Sequence, residues 1–396
     1  MIDQIKQIMT QDVSKEIWKN LRYFLDNEYT TKLIKKNLNI TEDKFDKFIK
    51  KQARQISFCI RQAEEYFLAS TQVGLATRPL LMYYGAVNLS QALFLLKKDG
   101  NFSLDKLREE KKHSHHGLEI IRGNIERANT KNINEFFQQI QCQVYFNQGK
   151  PWGQFPLFYD SLVSPAIKVE VEIYDSTFGS SFLKRNLSMN SNDVAPISGF
   201  IGKKFNIFDL IKNLPDLYYE LFNMEITPNL SRGEVSVRAD NRYAVRDGKQ
   251  EYVGTDEKWK YIINGILPKD RTLLLEYYKQ KEMEFRVLSE VGNHLHLECN
   301  YNSDKKNIFV PDIVDDMFGN KFFITKTDEY IIEPSIHFMI LYCLGMVSRY
   351  YPDVWMKAID ENVLISEFTN SFLNISYRKL PNLILDQLTG FKHSFI

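Results

Sequence analysis

The sequence predicts an α+β protein in which a discontinuous helical bundle holds an inserted β-rich domain. Two long uncharged segments, residues 79–96 and 334–348, lie about 240 residues apart in the chain. The residues between them change to a hydrophobic period of two, which is typical of strands. The chain has 396 residues, enough to bury a large core in more than one domain.

The N-terminal part has the hydrophobic spacing of helices. Ile56, Ile60 and Ala63 recur at intervals of three or four residues, with charged side chains on the opposite face. Residues 79–96 and 334–348 have no such polar face, so neither segment can be covered by water. We expect both to pack at the centre of one bundle. A membrane span is the alternative for residues 79–96, but the polar residues inside this segment favour a buried helix of a soluble protein.

The middle of the chain has strand and hairpin signals. Ile167, Val169 and Val171 alternate with charged residues, as in a strand with one buried face. Asp247–Gly248 and Gly292–Asn293 each separate two strand-like runs, and such pairs favour the tight turns of hairpins.

These signals divide the chain into three parts. We expect residues 1–140 to form the N-terminal part of the bundle and residues 333–396 to complete it. Residues 141–332 form the β-rich insertion in this interpretation. Gly/Ser linkers, internal repeats and low-complexity tracts, which would argue for another division, do not occur in the sequence.

Composition and cysteine usage indicate a cytoplasmic protein. Lys and Arg number 51 and Asp and Glu 50, so the chain as a whole is not a polycation that binds nucleic acid by net charge. The N-terminal residues have no apolar stretch of the kind that a secretory signal requires. The cysteines have no paired spacing, which is typical of reduced, buried thiols. They are Cys59, Cys142, Cys299 and Cys343.

Several segments resemble the YaaC-like family of bacterial proteins. They are RQAEEY at 61–66, RPLLMYYGAVNL at 78–89, HGL at 116–118, ILYCLGMVSRYYP at 340–352, and Trp355. The resemblance follows the chain in order and is most specific in the two uncharged segments. It implies a bacterial, cytosolic, soluble protein, and it implies no reaction, because this family has no settled activity.

Arg108, His113 and His115 are the candidate catalytic residues. Four and six residues separate Arg108 from the two histidines, and this spacing resembles the motif of HEPN-type ribonucleases, whose scaffold is a helical bundle. A histidine can move protons near neutral pH, and a cation can stabilise the charge on a reacting phosphate. We expect Arg108 and His115 to share one helix face. The alternative interpretation is a basic surface loop.

Three histidines in four residues also raise the question of a metal site. His113, His115 and His116 can each ligate a metal, but no neighbouring Cys or carboxylate pattern completes a tetrahedral set. Phosphate-binding and dinucleotide-binding glycine motifs are absent from the sequence. We therefore predict no metal and no cofactor.

Two further groups are candidate ligand-binding residues. Arg242 and Arg246 lie in the predicted hairpin among tyrosines, an arrangement that suits base stacking and equally suits cross-strand charge pairing.

Tyr84, Asn88, Arg349 and Trp355 lie in or beside the two uncharged segments. A buried Asn needs hydrogen-bond partners, and Arg349 can supply one or stack on neighbouring rings. These polar groups either form a network that fixes helix register or line a ligand cleft between the bundle and the β-rich part.

The leading functional prediction is a cytosolic binding or regulatory protein without catalytic activity. It would recognise a nucleotide, a nucleic acid or a partner protein, with a second copy of the chain as one such partner, and it would not bind membranes. By analogy with helical-bundle systems we expect a component of bacterial antiviral defence. The alternative is a HEPN-like, metal-independent endoribonuclease that uses Arg108 with His113 or His115.

Overall fold

The structure is a computed structural model that describes residues 4–41, 45–99, 101–112, 114–164, 166–174, 183–190, 194–281, 284–302, 312–326 and 331–395. It is an α+β protein, so the predicted fold class is confirmed. The helices are α1 (Val13–Leu21), α2 (Asn27–Asn37), α3 (Asp46–Ser70), α4 (Arg78–Lys97), α5 (Leu104–Glu109), α6 (Ile133–Gln139), α7 (Gln154–Tyr159), α8 (Ile207–Ile211), α9 (Tyr218–Asn223), α10 (Pro268–Gln280), α11 (Glu333–Tyr350), α12 (Pro352–Glu361) and α13 (Val363–Thr389).

The strands pair into one large sheet, one small sheet and two short pairs. They are β1 (Gln4–Ile8), β2 (Leu118–Ile120), β3 (Gln141–Val144), β4 (Phe146–Asn147), β5 (Lys150–Pro151), β6 (Ala166–Tyr174), β7 (Leu183–Asn190), β8 (Lys204–Asn206), β9 (Leu230–Arg246), β10 (Lys249–Asn264), β11 (Arg286–Val291), β12 (His294–Asn302), β13 (Ile313–Asp315), β14 (Lys321–Ile324) and β15 (Phe391–Phe395).

Helices α4 and α11 contain the two uncharged segments, and they pack against each other in one hydrophobic core. Helices α3 and α13 pack on α4 as well. The close approach of α3 to α4 depends on Gly85, because an added Cβ there would lie 2.6 Å from the ring of Phe67 on α3. Helix α4 is long and apolar enough to span a membrane, but 83% of its apolar window is buried in the protein. This burial is compatible with a soluble protein.

The helical core extends beyond residue 140, where the sequence predicted the insertion to begin. Cys142, Phe155, Ile207 and Leu221 are buried in the same core as α4 and α11. Short helices and the small sheet therefore cover the long helices, and the core that belongs to the large sheet starts later in the chain. The three-part division with boundaries at 141 and 333 stays a prediction.

The large sheet has its own core and a long central hairpin. Its strand order is β11-β12-β10-β9-β14-β13, and β6 pairs with β9 in parallel and with β7 in antiparallel orientation. The turn between β9 and β10 is at Asp247–Gly248, both with positive φ, and Gly292–Asn293 joins β11 to β12. The two predicted hairpins are therefore confirmed. Trp259 and Tyr261 on β10 pack with Tyr278 from α10 beneath the sheet.

The small sheet, with strand order β2-β3-β8, lies against the C-terminal half of α11. The register places Glu119 opposite Gln143, and Gln143 opposite Lys204. Directly opposed residues share one face of a sheet, so these three polar side chains form a row. Leu118, on the neighbouring register position, is buried in the helical core.

Candidate functional site

The candidate site is a cleft of about 880 Å³ between the C-terminal half of α11 and the small sheet. Its volume lies in the range of small-molecule sites. Polar, charged and aromatic side chains of both elements line it. They include His116, Glu119, Arg122, Gln143, Lys204, Tyr342, Tyr350 and Tyr351.

The sheet side of this cleft carries two cations and one acid. Gln143 Nε2 donates to Glu119 Oε2 at 3.2 Å, so the Glu119 carboxylate has an amide as its hydrogen-bond partner. Lys204 continues the same row, and Arg122 begins a 3₁₀ helix immediately after β2. Within the described part of the chain, neither Arg122 nor Lys204 has an acidic partner. The sheet side is therefore electropositive.

The helix side of the cleft is aromatic. Tyr342 donates from its hydroxyl to Leu118 O at 2.9 Å, so α11 and β2 are held together at the base of the cleft. Tyr350 lies at the end of α11 with 58% of its surface exposed. The Arg349 guanidinium lies 5.0 Å from the centroid of the Tyr350 ring, a cation–π distance. An exposed ring thus lies across from the two cations.

His116 forms a half-buried end of the cleft. Its Nδ1 lies 2.7 Å from the Tyr83 hydroxyl. Burial lowers the pKa of His116, and electrostatic interactions with His115 and Arg349 lower it further. Burial also raises the pKa of Tyr83 well above its ordinary value. Near neutral pH the pair is therefore an uncharged imidazole hydrogen-bonded to a protonated phenol.

Gly117 positions this histidine next to the small sheet. Its φ is +80°, a conformation that favours glycine. An added Cβ would lie 2.5 Å from Pro156 Cδ, so the chain can pass α7 closely only without a side chain here. The local sequence His116-Gly117-Leu118 thus carries the chain from the half-buried imidazole directly into β2.

Three of the predicted ligand-binding residues lie together near the cleft. Arg349 Nη1 donates to the Tyr84 hydroxyl at 2.6 Å, and this contact joins α11 to α4. Asn88 Nδ2 donates to the Tyr84 carbonyl at 2.9 Å, so its partner lies in its own helix rather than in Arg349. Arg349 also contacts Tyr350 of the cleft. The network therefore links the two helices and adjoins the cleft.

Trp355, the fourth predicted residue of that group, does not line the cleft. It is fully buried, and its Nε1 donates to Leu75 O at 3.0 Å. Phe136 stacks on it with a centroid distance of 6.5 Å. These contacts are those of a core residue that anchors α12.

Arg242 and Arg246 lie on β9, away from the residues that line the cleft. Arg242 Nε is 3.2 Å from Asp256, and Arg246 Nε is 3.9 Å from Glu251. The cross-strand pairing that was one of the two interpretations of this hairpin is present. Binding of nucleic acid at these arginines stays a prediction.

The candidate ribonuclease residues do not share a helix. Helix α5 ends at Glu109, so the expectation that Arg108 and His115 lie on one helix face was wrong. Arg108 is exposed and paired with Asp105 at 2.6 Å. His115 stacks on Tyr145 at 4.0 Å between centroids, and its Nδ1 accepts from Gly117 N at 3.1 Å. Burial lowers the pKa of His115.

His113, the third candidate of that set, lies outside the described residues. Endoribonuclease activity therefore stays a prediction, and so does the interpretation of the histidine triplet. Among the residues that the structure describes, His, Cys, Asp and Glu form no group of three or more that could hold a metal ion.

Sequence reasoning missed the charged residues of the cleft. These residues, Glu119, Arg122 and Lys204, belong to no sequence motif. Only the pairing of β2, β3 and β8 brings Lys204 close to Glu119 and Arg122. The segment around Lys204 is short, and its pairing with β3 depends on the register of three strands that are far apart in sequence. The resemblance of the HGL segment, which ends at the first residue of β2, was the one local signal close to this site.

A model of the YaaC-like protein family matches residues 22–388, which is most of the chain. The resemblance seen in the sequence is therefore confirmed at the level of this family. No curated protein and no solved structure matches the chain. The likeness to HEPN-type bundles is not shown by this match and stays a prediction.

Proposed function

This chain belongs to the YaaC-like family, and we propose that it is a cytosolic binding protein, without catalytic activity, for a nucleotide-type ligand. The ligand occupies the cleft between α11 and the small sheet. One observation carries the proposal: Arg122 and Lys204, which have no acidic partner in the described part of the chain, line the same cleft as the exposed ring of Tyr350.

The two cations suit a phosphate group. An unpaired cation can bind a phosphate without first giving up an ion pair, and the arginine fork binds two phosphate oxygens at once. The small sheet holds Lys204 in the row with Glu119 and Gln143, so its backbone position is fixed before ligand arrives. This preorganisation reduces the entropic cost of binding.

The ring of Tyr350 and the Glu119–Gln143 pair suit the rest of a nucleotide. Stacking of a base on an aromatic side chain contributes about 1–3 kcal/mol. The carboxylate and amide of the pair offer an acceptor and a donor for a base edge or a ribose hydroxyl. A bounded cleft of about 880 Å³ favours a single nucleotide over a nucleic-acid strand or a protein surface.

A place in bacterial antiviral defence is part of the same proposal and depends on analogy. A nucleotide-binding protein without catalytic groups would act there as a sensor that reports the ligand to a partner. The partner can be another protein or a second copy of the chain.

Calorimetric titration with mononucleotides and with the corresponding nucleosides tests the proposal. We expect the double variant Arg122→Ala/Lys204→Ala to lose at least tenfold in nucleotide affinity, because each charge-assisted contact contributes about 1.5–3 kcal/mol. Tyr350→Ala should weaken nucleotides and nucleosides alike, since it removes the stacking ring.

Arg127→Ala is the matched control, because Arg127 lies in the same 3₁₀ helix as Arg122 but does not line the cleft. Its affinity should equal that of the wild type. Failure of the wild-type protein to bind any nucleotide, or equal affinity in the double variant, would overturn the proposal.

A further inference from the structure

A second cavity, of about 680 Å³, lies where α13 meets the large sheet and the β1–β15 pair. We call it the seam cavity. The two cavities have no lining residue in common among the described residues. Apolar and charged side chains both line the seam cavity, and its charged groups fall into two sets that differ in how they are paired.

The first set is centred on Lys379 and is fully paired. The ammonium of Lys379 contacts the carboxylate of Asp216, lies 2.8 Å from Glu333 Oε1 and donates to Asp315 O at 2.7 Å. The ammonium therefore donates two hydrogen bonds and is within ion-pair distance of a second carboxylate. This cation already has two carboxylate partners, so it is not a free charge for a ligand.

The second set has more cations than carboxylates. Lys321 and Lys392 both bind the carboxylate of Asp315, at 2.8 and 2.6 Å. Lys168 and Arg378 line the same cavity and have no acidic partner within the described part of the chain. Burial lowers the pKa of Lys321, Asp315 opposes this shift, and the nearby charges of Lys392 and Lys168 add to it.

Asp316, which follows Asp315 in the sequence, does not pair with these cations. Asp316 Oδ1 accepts from the backbone N–H groups of Phe318 and Asn320 at 2.8 and 2.9 Å, and Oδ2 accepts from Asn320 Nδ2 at 2.6 Å. Its carboxylate is committed to the loop that it closes. Two cations thus face the cavity without a counter-charge from the described chain.

An oriented imidazole lies in the same cavity. Asp386 Oδ1 is 2.8 Å from His393 N and 2.9 Å from His393 Nδ1. Both residues are buried, with 7% and 3% of their surfaces exposed. The carboxylate fixes Nδ1 as the protonated nitrogen. Nε2 has no partner in the described chain, and the residue lines the cavity, so this atom is available to a ligand.

We propose that the seam cavity is a second binding site, for a small oxyanion of the phosphate type, either free phosphate or a phosphate monoester. Lys168 and Arg378 supply the charge that such an anion needs. His393 Nε2 accepts a hydrogen bond from a protonated phosphate oxygen. A phosphate monoester has such an oxygen in part of its population near its second pKa of about 6.

Titration of the full chain with inorganic phosphate and with glycerol phosphate, followed by calorimetry and by ³¹P NMR, tests this site. We expect Arg378→Ala/Lys168→Ala to lower the affinity for at least one of the two at least tenfold. The probe that binds the wild-type protein with the higher affinity shows whether the natural ligand is free phosphate or a monoester. His393→Gln keeps the size and polarity of the side chain but lacks a ring nitrogen, and we expect a smaller loss, of a few fold.

The cleft variant Arg122→Ala/Lys204→Ala separates the two sites. It should retain phosphate binding in the seam cavity while it loses nucleotide binding in the cleft. No binding of either probe to the wild type would overturn the second site. Binding that survives Arg378→Ala/Lys168→Ala but is lost in the cleft variant would overturn it as well and assign the phosphate to the cleft.

Discussion

The cleft beside α11 and the ion network around Lys379 use charge in opposite ways. Lys379 is 6% exposed and is paired with the carboxylates of Asp216 and Glu333. Arg122 and Lys204 are exposed and have no acidic partner among the described residues. A buried paired charge cannot be removed without leaving its partners unpaired, whereas an exposed unpaired charge can be removed at little cost. Stability and ligand affinity should therefore depend on different cations.

The largest effect is expected from Lys379→Met. This substitution leaves Asp216 and Glu333 buried without their counter-charge, and breaking such a pair costs about 3–5 kcal/mol. Urea unfolding followed by circular dichroism measures the loss. Lys32→Met is the control, since Lys32 pairs with Glu28 on the exposed face of α2 and should change stability by less than about 0.5 kcal/mol. Equal losses in the two variants would contradict the comparison.

An intermediate effect is expected where the helical core has no room. Gly85→Ala puts a Cβ 2.6 Å from the Phe67 ring, and overpacking of this kind costs about 1–3 kcal/mol. Gly199→Ala is the control, because no atom lies within 4 Å of the added Cβ there. The same urea experiment compares them. A Gly85→Ala protein as stable as the wild type would mean that α3 and α4 are not so closely packed.

The smallest effect is expected from His116 on the pH dependence of stability. Burial lowers its pKa below the ordinary 6.5, with His115 and Arg349 adding to the shift, so the unfolded chain binds this proton more readily. The stabilisation is present above pH 6.5 and is lost as the pH falls through the folded-state pKa. Between about pH 7.5 and pH 5.5 the free energy of unfolding should fall more steeply in the wild type than in His116→Gln. Parallel curves would argue against a lowered pKa of His116 in the folded protein.

The sequence was sufficient for features that depend on local pattern. The absence of charge in residues 79–96 predicted a buried helix, and Asp247–Gly248 predicted a hairpin turn, because each follows from burial or backbone geometry within a short segment. The same reasoning placed Tyr84 and Arg349 on helices that meet, although it did not give the hydrogen bond between them.

The cleft itself was beyond local pattern. Lys204 reaches Glu119 only through the intervening strand β3, and the unpaired state of Arg122 depends on what else folds nearby. The expected helix through Arg108 and His115 failed because the chain leaves the helix at Glu109 to pass α7 at Gly117. The position of Lys204 beside Glu119 and the end of the helix at Glu109 both depend on contacts between distant segments, so no single helix or strand predicts them.

The packing of α4 on α11 also affects how the protein is made. When α4 has left the ribosome, α11 has not been synthesised, because 235 residues lie between Lys97 and Glu333. At elongation rates of about 5–20 residues per second this interval is roughly ten to fifty seconds. Throughout it the face of α4 that packs on α11 in the folded protein has no α11 to cover it.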